Sequence, residues 1–287
     1  NFPISERKLP PSLIYAFALL KRSAAVVNHK LKLLDQRRAR YIVDACDGIL
    51  DVFDDPDRAE GMMDHFPLDI FQTGSGTSTN MNVNEVISNI ACRDAGKTIG
   101  AKDPIHPNDH VNMGQSSNDT FPTAMQIAAC IDIKKSLIPN LKSMRKSLKA
   151  KEKKWDKIVT IGRTHLMDAT PIRVGQIFSG YVAAIDYGIL RAERAMMRLS
   201  ENMPIGGTAV GTGMNTHPRF ASMVCKELKK STRINFLEAN NHFEAQATRD
   251  CVVEAHGELK TIATSISKIA NDIRWLGSGP RCGLFLL

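Results

Sequence analysis

Polar, glycine-bearing loops hold the residues of this chain best suited to bind an anion or move a proton. The first is Gly74-Ser75-Gly76-Thr77-Ser78-Thr79-Asn80-Met81-Asn82-Val83-Asn84-Glu85. Its glycines permit unusual backbone angles, its hydroxyls can donate, and a helix through Met81, Val86 and Ile90 follows at once, so free backbone N–H groups lie beside the hydroxyls. That composition makes a carboxylate or phosphate cradle, or a helix start in which Ser and Thr only satisfy backbone donors. His106-Pro107-Asn108-Asp109 reads as a turn, and equally as an imidazole and amide subsite for an anion. In Gly114-Gln115-Ser116-Ser117-Asn118-Asp119-Thr120, two hydroxyls and an amide exceed what a helix cap requires. In Gly162-Arg163-Thr164-His165, the imidazole suits acid/base work, although a lone His is as readily structural. Gly206-Gly207-Thr208-Ala209-Val210-Gly211-Thr212-Gly213 fits neither a Walker A loop nor a Rossmann fingerprint and is expected to pack tightly against a helical bundle.

The elements that must position these loops are helical. Leu13, Phe17, Leu20, Ala24, Val27, Leu31 and Leu34 form one stripe after Pro10-Pro11-Ser12. Ile42, Cys46, Ile49 and Phe53 form another, which should stop at Asp54-Asp55-Pro56-Asp57. A third helix is expected from Thr120, with Pro122 in its first turn and a kink at Pro139. The fourth runs from Val174 to about Leu199, and the fifth carries Val252, Ala255, Leu259, Ile262, Ile266, Ile269 and Ile273 in 3,4 alternation. Stripes this long imply a mostly α chain whose central helices run side by side and associate through the bundle. The best boundary falls near Gly114–Ser117.

The 287 residues are 43% hydrophobic, enough for a sizeable core, so a disordered or collagen-like chain is excluded. The six cysteines lie singly, with no C-x-x-C spacing, which signals neither a zinc site nor a disulfide framework. With no long apolar run and no secretory pattern at Asn1-Phe2-Pro3, a soluble intracellular protein is expected. The +8 formal charge concentrates between Lys134 and Lys157. Trp155 is the only aromatic there, so a solvated helix face is favoured over a nucleic-acid surface. Such a field also gathers small anions.

Taken together and in order, Gly74-Ser75-Gly76-Thr77 with Asn80–Glu85, His106–His110, Gln115–Asp119, Gly162-Arg163-Thr164-His165 and Ser278-Gly279-Pro280-Arg281-Cys282-Gly283 resemble the class II fumarate hydratases of the fumarase/aspartase superfamily. The resemblance runs from Asn1 to about Leu284. It implies a mainly α fold: a smaller N-terminal helical domain over 1–115, a long-helix bundle domain over 116–287, and a homotetramer built on that bundle. It also implies reversible, cofactor-independent hydration of fumarate to (S)-malate in the cytoplasm or mitochondrial matrix, with no metal, nucleic acid or membrane as partner. By the same resemblance, Ser75, Gly76, Thr77, Ser116, Ser117 and Asn118 bind the substrate carboxylates, and Thr164 contributes from another subunit. His165 handles the proton of the added water, and His106, Pro107, Asn108 and Asp109 form a second anion site. Lys102 and Asp103 stand near the place where the family carries a basic residue before that histidine.

The family's Gly-Ser-Ser-x-Met-Pro-x-Lys-x-Asn-Pro loop, which holds its serine base, does not occur in this sequence. The 287 residues are therefore expected to be the front part of a longer subunit, impaired as a hydratase by themselves. An aspartate ammonia-lyase is the nearest alternative, and His165, where aspartases carry Gln, argues against it. A non-catalytic helical scaffold is the reading from another class.

Overall fold

Proline opens the first helix, where a missing N–H costs nothing, and the chain then buries almost every face of it. The computed structural model describes residues 4–279. Pro280, Arg281, Cys282 and Gly283 of the last motif lie outside that range, as do residues 284–287 and Asn1-Phe2-Pro3. Contacts divide the chain into two compact units, one formed by residues up to 131 with 198–252, the other by 132–197 with those from 253 onward.

In the first unit, α1 (Pro11–Lys30) packs against α2 (Gln36–Phe53), α4 (Thr77–Asp94) and α8 (Phe220–Thr232). Phe17, Leu20, Ile42, Ile49, Ile87 and Phe220 are among its largest fully buried apolar groups, each contributing about 1.5–3 kcal/mol by leaving water. Asp35 caps α2 by accepting the Arg38 N–H at 3.0 Å. The expected stop at Asp54–Asp57 is also a start: Asp55 accepts the Asp57 N–H and caps α3 (Pro56–Met63), a helix the apolar pattern did not reveal. The helix expected through Met81, Val86 and Ile90 is α4. Val83, Ile87 and Ala91 face inward, together with Thr79, Asn80, Asn84 and Ser88.

Helix α5 (Ser117–Asp132) begins three residues before the expected Thr120, so Pro122 lies inside it rather than in its first turn. The kink expected at Pro139 takes the form of a π-helical stretch, Ile133–Leu137, that leads into α6 (Ile138–Lys154), with Pro139 in the first turn of α6. The last helix of the first unit before Asp250 is α9 (His242–Ala247).

The second unit holds α6, a hairpin of β1 (Val159–Thr164) and β2 (Met167–Arg173), and nearly all of α7 (Val174–Ser200) and α10 (Asp250–Leu276). The 3,4 stripes meet here. Ala255, Ile262 and Ile269 are buried along α10, and a Cβ added at Gly188 of α7 would meet Ile262 at 3.8 Å. Trp155, Phe178 and Tyr181 stack edge to face at 5.1 and 5.3 Å, and the Tyr181 hydroxyl donates to Asp272 at 3.0 Å. On the basic α6, Arg145 pairs with Asp186 and Lys149 with Glu152, and the remaining lysines are mostly exposed. Among the described residues no helix is long and apolar enough to cross a membrane.

Candidate active site

The turn into α4 depends on Gly76. Its φ of +71° is left-handed, and a Cβ there would lie 2.2 Å from the Phe121 ring. That close approach brings the first turns of α4 and α5 together and leaves Ser75 and Thr77 with their hydroxyl oxygens 2.8 Å apart. Gly76→Ala should lower stability by about 2–4 kcal/mol, adding left-handed strain to overpacking. A thermal melt checks this, and an unchanged transition would contradict the packing described.

Beneath the two helix starts lies a buried polar cluster that apolar periodicity did not indicate. Lys21 sits amid the Phe17, Leu20 and Ala24 stripe of α1 with no exposed surface, and its ammonium donates to Asn112 Oδ1 and Gln115 Oε1, each at 3.0 Å. Asn112 Oδ1 also accepts from Asn80 at 3.1 Å and from Asn84 at 3.2 Å. The same Asn80 amide donates to Ser117 Oγ at 3.0 Å. A lysine inside an otherwise apolar stripe was the sequence signal available for this cluster.

Burial lowers the Lys21 pKa from 10.5 to about 7 against the opposing field of Asp119. Between those values the unfolded chain binds a proton that the folded chain does not, so stability rises with pH by about 1.4 kcal/mol per unit from this group. Lys21→Met removes that contribution. The stability of the variant relative to wild type should therefore be greatest at pH 7 and below, and should shrink by several kcal/mol towards pH 10.5. Urea unfolding across this range measures it, and a difference independent of pH would be the contrary result.

Asp119 organises the start of α5. Fully buried, its carboxylate accepts from Ser116 N at 2.9 Å and Thr120 Oγ1 at 3.1 Å, and from Gly206 N and Thr208 N at 3.0 and 2.9 Å. Burial pushes the carboxyl up to about 6 while these donors pull it down, so it is ionised at neutral pH. The glycine-rich 206–213 loop thus wraps this carboxylate, and Asn118 extends the tie by donating to Ala209 O at 2.7 Å. Ser116 Oγ accepts the Asn118 N–H at 3.3 Å, which is the cap-like role read from sequence.

His106 to Val111 forms a π-helical turn, Pro107–Val111. His106 Nδ1 accepts the Asp109 N–H at 3.1 Å, and the His106 N–H donates to His110 Nδ1 at 2.8 Å. Burial lowers the His110 pKa, with Arg38 acting in the same direction. Pro107 is buried, whereas Asn108 and Asp109 point to solvent.

Ser75, Gly76, Thr77 and Ser116–Asn118 all belong to the first unit, and Thr164 and His165 to the second. There the stretch from Val159, expected only as an apolar lead-in, is strand β1. It pairs antiparallel with β2, and Thr164 stands opposite Met167. His165 and Leu166 form the two-residue turn with φ of +52° and +61°, the pattern of a type I′ hairpin that usually selects Asn and Gly. Left-handed backbone in such residues stores strain, and it holds His165 exposed at the tip. Behind the tip a cavity of about 450 Å³ is lined by Thr164, Arg163, Leu166, Tyr181, Asp272 and Trp275.

Comparison with known proteins gives these two clusters a context. The model of a family described as lyase matches residues 1–287. A class II fumarate hydratase of Nitrosomonas europaea is 53% identical over 284 residues, covering 99% of this chain and 60% of that protein. A mitochondrial fumarate hydratase of Rhizopus oryzae is 51% identical over 286 residues, covering 99% and 56%. Among solved structures, a class II fumarase from Schistosoma mansoni superimposes with a TM-score of 0.92 at 36% identity, over 99% of this chain and 61% of that one. A fumarate lyase:delta crystallin from Brucella melitensis gives 0.88 at 37%, over 99% and 62%. The chain spans about three fifths of the length of the curated relatives it matches. With that match running through both helix starts and the histidine hairpin, the chain belongs to the lyase family.

Proposed function

We propose that the protein carrying this chain catalyses the reversible hydration of fumarate to (S)-malate. The observation that carries the reading is the meeting of two helix starts in the first unit, through Asn80 and Ser117 and through Gly76 and Phe121. Around that junction Ser75, Thr77, Ser116, Ser117 and Asn118 supply hydroxyls and an amide, and the first turns of α4 and α5 supply N–H groups that favour negative charge. A dianionic substrate suits that supply. Proton removal beside a carboxylate builds an aci-carboxylate, and fixed donors stabilise the added charge without reorganising.

In this reading His165 exchanges the proton of the adding or leaving water, and Thr164 binds substrate, both provided by a neighbouring subunit of a homotetramer. The exposed hairpin tip favours such a role, because His165 makes no hydrogen bond among the described residues. Histidine at this position also favours water over ammonia as the added group. His106, Pro107, Asn108 and Asp109 form a second anion site in the same reading. The domain plan of 1–115 and 116–287, and a place in the cytoplasm or the mitochondrial matrix, belong to it as well. Incubating the full-length gene product with (S)-malate and following fumarate by its ultraviolet absorbance tests the proposal. Formation of fumarate is expected, and none would defeat it.

A further inference from the structure

The buried cluster under the helix starts has a direction, and that direction bears on Ser117. Ammonium groups only donate, whereas a carboxamide can present either its oxygen or its nitrogen to a neighbour. Lys21 meets Asn112 Oδ1 at 3.0 Å, so the oxygen of Asn112 must face inward. In its ammonium form Lys21 has no lone pair, so Asn112 and Gln115 must both present oxygens to it. With its oxygen fixed, Asn112 accepts from the Asn80 amide, and the second hydrogen of that amide goes to Ser117 Oγ at 3.0 Å. Ser117 Oγ is thereby an acceptor towards the protein, and its own hydrogen is left for something outside.

The reverse arrangement is available to the same side chains. Asn80 Oδ1 and Asn84 Oδ1 are buried and lack donors among the described residues. Were Asn112 to turn its amide towards them, those oxygens would be satisfied. Asn80 could then offer its oxygen to Ser117, whose hydroxyl would donate inward and be lost to an anion. Only a donor-only group at the far end selects the observed direction, and the Lys21 ammonium is that group.

We propose that Lys21 is a positioning residue for dicarboxylate binding, acting through Asn112 and Asn80 to hold the Ser117 hydroxyl as a donor to the ligand. This rests on the reading of Ser117 as a carboxylate-binding residue. Succinate, a dicarboxylate that cannot be hydrated, is the probe. Its affinity is measured by titration calorimetry on the full-length gene product, for wild type, Lys21→Met, Ser117→Ala and the double variant, with a melting curve for each.

Lys21→Met should weaken succinate binding by roughly tenfold to a hundredfold, the scale of one hydrogen bond to a charged group. In the Ser117→Ala background it should add almost nothing, since the relay then has no end. Unchanged binding by Lys21→Met, or losses that multiply in the double variant, would overturn the relay, as would a wild type that takes no succinate. If Lys21→Met does not fold, Asn80→Leu cuts the relay one link nearer Ser117 and is judged by the same cycle. Fumarate turnover by wild type is recorded alongside. Its absence would remove the hydratase reading, while the succinate cycle would still decide the relay.

Discussion

Replacing His165 with Asn in the full-length gene product should lower kcat for fumarate hydration by about 10²–10⁴-fold, the span of a lost general acid or base. Asparagine is the informative choice. The backbone at this position has φ +52°, which Asn tolerates better than most residues, so the hairpin keeps its turn while the titratable group disappears. Since His165 is exposed and makes no hydrogen bond among the described residues, the melting temperature should not fall. Steady-state kinetics with circular dichroism melts measure both. Full activity would remove His165 from the chemistry, and a loss of activity with a matching loss of stability would reduce it to a hairpin residue.

The second large effect concerns stability. Asp119→Ala should destabilise the first unit by about 3–5 kcal/mol, because it strands the N–H groups of Ser116, Gly206 and Thr208 in a site without water access. It also frees the 206–208 loop from the start of α5, which displaces the turn carrying Ser116 to Asn118. Substrate affinity should therefore fall together with stability, unlike the outcome for His165→Asn. Denaturant unfolding and a fumarate KM on the same preparation check the pair. A loss below about 1 kcal/mol would mean that the three N–H donors find other acceptors.

The difference between these two residues shows what could be read in the sequence. The loop holding His165 could be picked out as a candidate because its residues are adjacent in sequence, although the strand before it was read only as an apolar lead-in. The long stripes of α1, α7 and α10 were legible for the same reason, since burial repeats every three or four residues along one helix. Asp119 looked like an ordinary cap because its partners at Gly206 and Thr208 are far away in sequence. Lys21, Asn80, Asn84 and Asn112 were illegible as a cluster because their partners lie in other segments, far away in sequence. Helix α3 was hidden by Asp55-Pro56, whose residues stop one helix and start the next.

Function depends on the site rather than the fold, and a helical bundle of this kind can support more than one addition to a double bond. The distinguishing features are an exposed histidine on a strained hairpin in the second unit and, in the first, helix starts that carry hydroxyls. The most direct measurement supplies the full-length gene product with fumarate and ammonium together and follows the products by proton NMR. Malate as the accumulating product is the expected result. Aspartate in its place, or fumarate left unchanged, would contradict the assignment.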